Sequence, residues 1–239
     1  MIKVSSKNES FFVGIDHSVN KSAVCVLDHK GNIIGAAYFE KIKSSHKYIF
    51  TKYNSKQEAV SRKTLKMIHN KDATLIKQSP LIIESLFEDL TTNENSSEKE
   101  SYGKAIESGK CFDDGGFTRT IIICREIIKY LKEFDNKDMR IVIEGYAFFG
   151  SGDITKIAEN VGHLKALLYS NYWEVDMAQP NSIKLVITGF GKAGKEAVSL
   201  ALKDRYGVSF ENDDLNDAFA MAEYCRLNQL KLLSKVKVS

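Results

Sequence analysis

Five stretches of dense apolar residues have the length of β-strands. Three follow one another closely near the N-terminus, FFVGID, KSAVCVLDH and NIIGAAYFEK, and HKGN supplies a turn between the second and the third. Two later stretches, RIVIEGYAF and WEVDMAQ, are separated by a helical pattern. RIVIEGYAF has almost no polar alternation, which is typical of a strand that is buried on both faces.

Helical spacing of apolar residues accounts for most of the remaining chain. The predicted helices cover 118–134, 154–169, 181–188, 195–206 and 213–232. A meander of three antiparallel strands, followed by strands that alternate with crossover helices, is a pattern that predicts a mixed sheet. We therefore expect an α/β protein of the ribonuclease H kind, with a five-stranded mixed sheet flanked by helices.

The interval between the third strand and the first helix differs from the rest of the chain. Residues 41–77 contain ten basic residues against two acidic ones, and residues 78–117 contain three basic residues against nine acidic ones. TTNENSSEKES and CFDDGG in the second part are polar and typical of loops. We interpret 44–117 as an insertion after the third strand, within a single domain that spans 1–239.

The two halves of this insertion largely cancel in the formal net charge, which is only +3. The basic half carries Tyr48, Phe50 and Tyr53 among its lysines. Aromatic and basic residues in alternation are candidates for nucleic-acid contacts, and a solvated arm without a partner is the alternative.

The composition, 43% hydrophobic and 27% charged in 239 residues, is that of a globular protein. No apolar run reaches the roughly 18 residues of a membrane span, and the first residues lack the pattern of a signal peptide. We therefore expect no membrane partner and a cytoplasmic location, in a bacterium or in a phage-infected host cell. The cysteines show no CxxC spacing, so Cys25, Cys124 and Cys225 are predicted to be buried thiols.

Acidic residues stand at the ends of several apolar elements, where an unpaired charge is costly. Asp16 ends the first strand, and Glu144 interrupts the apolar run RIVIEGY. Asp214 and Asp217 open the last helix on one face, with Asp213 beside them. In a ribonuclease H-like sheet the first and fourth strands are neighbours and the last helix packs beside them, so we expect these carboxylates to converge.

Such a cluster needs cations to stay ionised. A pair of Mg²⁺ ions about 4 Å apart is the usual solution, and it supports hydrolysis of a phosphodiester. Taken singly, Asp214 is also compatible with helix capping and Asp16 with a strand-end turn. Glu144 is harder to explain without a partner, because it lies in mid-strand among apolar residues. His17, next to Asp16, is predicted to face solvent at the end of the strand, and a role in assisting catalysis is the alternative.

Together these segments resemble the RuvC-like Holliday junction resolvases, of cellular or phage type. FFVGID is similar to the first-strand motif of that family, RIVIEGYAF to the strand with the catalytic glutamate, and DLNDAFAMA to the D-x-x-D-A start of its last helix. PNSIKLVITGFGKAGKEAV resembles the family's P-x-x-x-K segment that leads to G-x-G-x-A-x-K. The resemblance covers 11–40 and 118–233, whereas His17, Ser18 and the insertion depart from the family pattern.

The resemblance implies a crossover junction endodeoxyribonuclease of DNA recombination and repair. It would be a homodimer that uses Mg²⁺, or Mn²⁺ as a substitute, and acts on branched DNA, especially four-way junctions. The residues that match the catalytic, metal-binding carboxylates are Asp16, Glu144, Asp214 and Asp217. The candidates for DNA contacts are Lys184, Lys192, Lys195, Tyr146 and Phe148.

Two other classes share parts of the pattern. A flap, fork or single-strand nuclease of the same fold would carry the same carboxylates. The opening GIDHSVNKSAVCVLDHKGNII also resembles the first hairpin of actin-like ATPases and sugar kinases, but no second phosphate motif follows it. GFGKAGKE approaches the phosphate-loop pattern G-x-x-x-x-G-K-[ST], although Glu196 stands where that pattern needs a hydroxyl.

Overall fold

The computed structural model describes residues 10–18, 20–42, 47–66, 116–134, 138–145 and 154–236. The strands within these ranges are β1 (Phe11–His17), β2 (Lys21–Leu27), β3 (Ile33–Lys41), β4 (Lys47–Tyr53), β5 (Ala59–Lys66), β6 (Met139–Glu144) and β7 (Glu174–Ala178). The helices are α1 (Gly116–Leu131), α2 (Ile154–Ser170), α3 (Pro180–Thr188), α4 (Lys195–Tyr206) and α5 (Asp213–Val236), and a 3-10 turn, Lys132–Phe134, follows α1. In these ranges, no helix is long and apolar enough to cross a membrane.

All seven strands form one mixed sheet in the order β5-β4-β3-β2-β1-β6-β7. The first five strands pair antiparallel in chain order, whereas β6 pairs parallel with β1 and β7 pairs parallel with β6. The five strands expected from the sequence therefore occupy the central and parallel positions of a ribonuclease H-like sheet. The α/β prediction is confirmed, and the sheet is two strands wider than expected.

The two additional strands, β4 and β5, come from the first part of the segment interpreted as an insertion. Tyr48 and Phe50 are buried in the core of the sheet, so they are not exposed for nucleic-acid contacts as the basic segment had suggested. Lys52 pairs with Glu133, which lies beyond the end of α1. This hairpin is thus an integral part of the sheet, and residues 67–115 of the insertion lie outside the described ranges.

The sheet separates two apolar cores. On one face, Phe12 and other residues of the central strands pack against α3, α4 and α5. On the opposite face, Phe11, Val13 and Ile15 pack against α1 and α2. Because side chains alternate along a strand, consecutive residues of β1 belong to different layers of the molecule. The predicted thiols Cys25, Cys124 and Cys225 are buried and free in these cores, as expected.

Helix α5 lies very close to the backbone of β1. A Cβ atom on Gly14 would lie 2.0 Å from the carbonyl oxygen of Ala218 and 2.5 Å from the amide nitrogen of Ala222. Glycine at this position and the small residues on the helix therefore allow a contact that larger residues would prevent. The contact fixes the first turn of α5 over the ends of the central strands.

The loop before α5 is held by several side-chain contacts. Asn216 binds the backbone of Phe210 in both directions, since its Oδ1 accepts from the Phe210 amide and its Nδ2 donates to the Phe210 carbonyl, each at 3.0 Å. From the β4–β5 turn, the Gln57 amide donates to the Gly207 carbonyl at 3.0 Å and accepts from the Ser209 amide at 2.7 Å. Tyr53 of β4 packs edge-on against Phe210.

Candidate active site

Two of the predicted carboxylates lie side by side at the carboxyl ends of two neighbouring strands. Ile15 of β1 and Ile143 of β6 are paired in parallel register. Asp16 and Glu144 are the next residues on these two strands, so they occupy adjacent positions at the carboxyl ends. Asp16 falls on the face covered by α5, because it shares the orientation of Phe12 and Gly14 along the strand.

Helix α5 brings two further carboxylates to the same place. The pKa of Asp16 is raised to about 7, first by burial and then by the negative charges of Glu144, Asp214 and Asp217, with Lys21 acting in the opposite direction. A carboxyl affected by three others must lie close to all of them. Four acidic residues from β1, β6 and α5 therefore form one electrostatic group.

Glu144 and Asp217 respond to neighbours in the same group. The pKa of Glu144 is raised by burial and by Asp217, while Lys184 lowers it. The pKa of Asp217 is raised by burial and by the adjacent aspartates of α5, while Lys195 and Lys184 lower it. The two lysines thus offset only part of the repulsion among the acidic side chains.

Asp214 is held by two residues that the sequence had not singled out. Lys21 Nζ lies 3.4 Å from Asp214 Oδ2, and the Tyr38 hydroxyl donates to the same oxygen at 3.0 Å. The amide nitrogen of Asp214 donates to Asn212 Oδ1 at 2.8 Å. No motif or spacing connects Lys21 and Tyr38 to the last helix, so only the packing of α5 over β2 and β3 brings these groups together.

A cleft of about 310 Å³ adjoins the acidic group, between α3, α4 and α5. Its polar lining comprises Glu144, Lys184, Lys195, Ser199, Asp213, Asn216 and Asp217. Of the predicted DNA-contacting lysines, Lys184 and Lys195 thus line the cleft beside the carboxylates. Lys192 is exposed on the loop between α3 and α4, and Tyr146 and Phe148 lie outside the described residues.

The phosphate-loop interpretation of GFGKAGKE lacks the structural context that it needs. A phosphate loop follows a strand and opens a helix, whereas KLVIT before this segment is the last part of α3. The segment is instead the connection between two helices that both line the cleft. Of its glycine and lysine residues, Lys195 lines the cleft beside the acidic group.

His17 does not face solvent as predicted, and it points away from the acidic group. Only 7% of it is exposed, on the face of the sheet that α1 and α2 cover. His17 Nδ1 and the Ser22 hydroxyl are hydrogen-bonded at 2.7 Å. Burial lowers the pKa of His17 to about 4, so the imidazole is neutral at pH 7.

The donor chemistry of the acidic group fits a hard divalent cation. Its side chains offer carboxylate oxygens, which are the ligands that Mg²⁺ prefers, and the raised pKa values of Asp16, Glu144 and Asp217 reflect burial and negative charge without enough cationic compensation. Among the described residues, no three His, Cys, Asp or Glu side chains are already grouped at metal-binding distance. The oxygen donors are thus gathered in one region but are not drawn together around a common point.

Comparison with known proteins gives likenesses at the level of structure only. No family model and no curated protein matches the chain. The chain is similar to Thermus thermophilus RuvC, with a TM-score of 0.49 and 15% identity, over 92% of this chain and 96% of that one. It is also similar to T. thermophilus RuvC in complex with a Holliday junction substrate, with a TM-score of 0.44 and 15% identity, over 90% and 91% of the two chains.

A third likeness is to the activator of the 2-hydroxyisocaproyl-CoA dehydratase from Clostridium difficile with bound ADPNP. Its TM-score is 0.22 and its identity is 9%, over 94% of this chain and 97% of that one. All three TM-scores are below 0.5. Scores this low do not support an assignment. The assignment to the ribonuclease H-like class therefore rests on the order and directions of the strands and not on these likenesses.

Proposed function

We propose that the protein is a cytoplasmic, Mg²⁺-dependent endonuclease of the RuvC-like class that resolves four-way DNA junctions. The observation that supports this most directly is the meeting of acidic residues from β1, β6 and α5 beside two lysines of one cleft. Mutually repelling carboxylates next to phosphate-binding cations are suited to a metal-assisted reaction on a phosphodiester. The motif order along the chain supports the choice of the junction-resolving family.

The residues that would hold the metal are Asp16, Glu144, Asp214 and Asp217. Bound Mg²⁺, or Mn²⁺ in its place, would supply an activated water and stabilisation of the leaving 3′ oxygen. The contribution of the protein is to collect these oxygen donors from three elements at one edge of the sheet. Lys21 and the Tyr38 hydroxyl both contact Oδ2 of the Asp214 carboxylate.

Lys184 and Lys195 would bind the phosphate that is cut. Both line the cleft, and both lower the pKa of Asp217, so their ammonium groups lie close to the acidic side chains. An ammonium group provides a point charge that can compensate phosphate oxygens. Exposed Lys192, on the adjoining loop, would contact the DNA backbone without entering the cleft.

A homodimer would explain how one active site per chain serves a four-way junction. Such a junction has approximate two-fold symmetry, and two protomers related by a two-fold axis present their sites to two equivalent strands. The proposed products are two symmetric nicks that can be religated.

The proposal is tested by incubating the protein with labelled four-way, forked, flapped and linear DNA, with Mg²⁺ and with EDTA. We expect paired, symmetric cuts that are confined to the four-way junction and require Mg²⁺. Glu144→Gln should slow cutting by about a thousandfold, because a carboxylate ligand of the metal is lost. Junction binding should persist, because the charge of the cleft becomes less negative.

Glu159→Gln provides the matched control, since Glu159 is an exposed glutamate of α2 on the opposite face of the sheet. Its cutting rate should equal that of the wild type. Equal cutting of all branched substrates would replace the resolvase with a flap or fork nuclease. Cutting that persists in EDTA, or in Glu144→Gln, would contradict the metal site.

A further inference from the structure

One large aromatic side chain is exposed beside the candidate active site. Phe190 lies on the loop between α3 and α4, and 62% of it is exposed. The helix before this loop contributes Lys184 to the cleft, and the helix after it contributes Lys195. An exposed phenylalanine has an unfavourable hydration free energy, so a partner that covers the ring would stabilise the bound state.

The loop that carries Phe190 has a defined backbone. The Phe190 amide donates to Thr188 Oγ1 at 3.0 Å, and the Phe190 carbonyl accepts from the Ala193 amide at 3.1 Å. Ala193 itself is buried at 5% exposure. The ring is thus presented on a turn that is tied to the protein at both ends, which reduces the entropy lost when a ligand binds.

The loop also bends back along α3. A Cβ atom on Gly191 would lie 2.9 Å from the carbonyl oxygen of Asn181, in the first turn of that helix. Only glycine allows the loop to lie this close to the helix. The aromatic residue that precedes Gly191 is therefore held near the helix that contributes a lysine to the cleft.

The charges around Phe190 indicate what kind of partner would cover it. Lys192 is exposed two residues further along the same loop, and Lys195 begins the next helix. Cations beside an exposed aromatic ring suit a ligand that combines anionic groups with flat apolar surfaces. A nucleic-acid strand has this combination only where its bases are unstacked, because paired bases in a duplex hide their faces.

We propose that Phe190 is a stacking platform for an unpaired DNA base next to the strand that the cleft binds. This inference rests on the proposed function and deepens it, since it adds a contact with one unpaired base, next to the cut phosphate at the branch point. The lysines bind the backbone of the strand, and the ring covers one base of it. A fully paired duplex offers the lysines its phosphates but offers the ring no base.

The test measures binding in EDTA, so that cleavage does not enter the result. The probes are single-stranded oligothymidine, a forked DNA with one 2-aminopurine in its unpaired arm, and a blunt duplex of the same length. Phe190→Ala should weaken binding of the two unpaired probes by about tenfold and change duplex binding less than twofold, as expected for one lost stacking contact. Phe190→Trp should retain the wild-type affinity and quench the 2-aminopurine.

Leu200→Ala is the matched control, because Leu200 is a hydrophobic residue of α4 with a similar exposed fraction, 60%. It should bind all three probes like the wild type. Equal loss of duplex and single-strand binding in Phe190→Ala, or no loss at all, would overturn the inference. A change in oligomeric state on Phe190→Ala would also overturn it, since the ring would then cover a second copy of the chain.

Failure of this inference is distinct from failure of the proposed function. If Phe190→Ala binds every probe normally while the wild type cuts junctions with Mg²⁺, only the stacking role is wrong. If the wild type cuts no DNA but Phe190→Ala still loses single-strand binding selectively, the stacking role stands and the nuclease assignment is wrong.

Discussion

Asp16 and His17 are consecutive residues with opposite environments. Asp16 faces α5 and lies among acidic side chains, and its pKa is raised to about 7. His17 faces α1 and α2, its Nδ1 is hydrogen-bonded to Ser22, and its pKa is lowered to about 4. Both shifts arise first from burial, which disfavours the charged form of either group. The ionised form of Asp16 is therefore unfavourable, whereas the His17 imidazole is neutral and hydrogen-bonded.

The two groups make opposite contributions to stability as the pH changes. In the folded, metal-free protein Asp16 keeps its proton up to about pH 7, so its contribution is fully present below about pH 4 and is lost as the pH rises to 7. His17 contributes stability above about pH 6.5, and this is lost as the pH falls towards 4. A carboxylate whose ionised form is disfavoured by its neighbours is a candidate for a functional role, whereas a neutral buried imidazole is typical of packing.

The largest effect is expected for Asp16→Asn. Under the proposed function, cutting should fall by about a thousandfold, because a neutral amide replaces a carboxylate that would bind the metal. At the same time the metal-free variant should be more stable than the wild type at pH 8, by up to about 4 kcal/mol, since the ionised carboxylate is removed. Cleavage assays and urea unfolding at pH 4 and pH 8 measure the two effects. A variant that loses activity and stability together would show that Asp16 is structural.

Gly14→Ala should distinguish the two faces of the sheet, because it disturbs only the face that α5 covers. The new methyl group would lie 2.0 Å from the Ala218 carbonyl oxygen, so α5 must move away from β1. We expect a loss of about 3 kcal/mol in the free energy of unfolding and a large loss of cutting. Gly162→Ala is the control, because a Cβ there meets no atom within 4 Å, and it should not lower stability. Similar stability of the two variants would contradict the close contact of α5.

The smallest effect is expected for His17→Leu. The leucine preserves apolar packing against α1 and α2 but loses the hydrogen bond to Ser22, which costs about 1 kcal/mol at pH 8. Because the imidazole no longer titrates, the contribution of Asp16 remains. The free energy of unfolding should therefore fall steadily from pH 4 to pH 7. Cutting at pH 8 should stay within a few-fold of the wild type. A loss as large as that of Asp16→Asn would place His17 in the reaction.

The helices and the strands β1, β2, β3, β6 and β7 could be predicted because their signals are local. RIVIEGYAF and DLNDAFAMA each show their element type within about ten residues, and the topology then places Glu144 beside Asp16. The strand β4 also carries a local signal, since the aromatic residues Tyr48 and Phe50 stand two positions apart in KYIFTKY and both are buried. Its many lysines led instead to its interpretation as part of a basic arm.

The remaining features depend on packing between distant segments. Lys21 and Tyr38 meet Asp214 across 193 and 176 residues, and nothing in their own sequence context indicates a partner. The orientation of His17 follows from the alternation of β1 once Asp16 is placed under α5. The burial of His17, however, depends on α1 and α2 covering the other face of the sheet. Residue patterns alone do not show how closely these helices pack over His17.

The two hydrogen bonds from Gln57 to the loop before α5 affect how the chain can be shortened. Residues 44–117 look removable as one unit, because the family pattern continues on both sides of them. A deletion that begins at 44 would take away Gln57 and Tyr53, and with them the lateral support of the segment that leads into Asp213 and Asp214. A shortened version of this protein should therefore retain the β4–β5 hairpin, and trimming has to begin after residue 66.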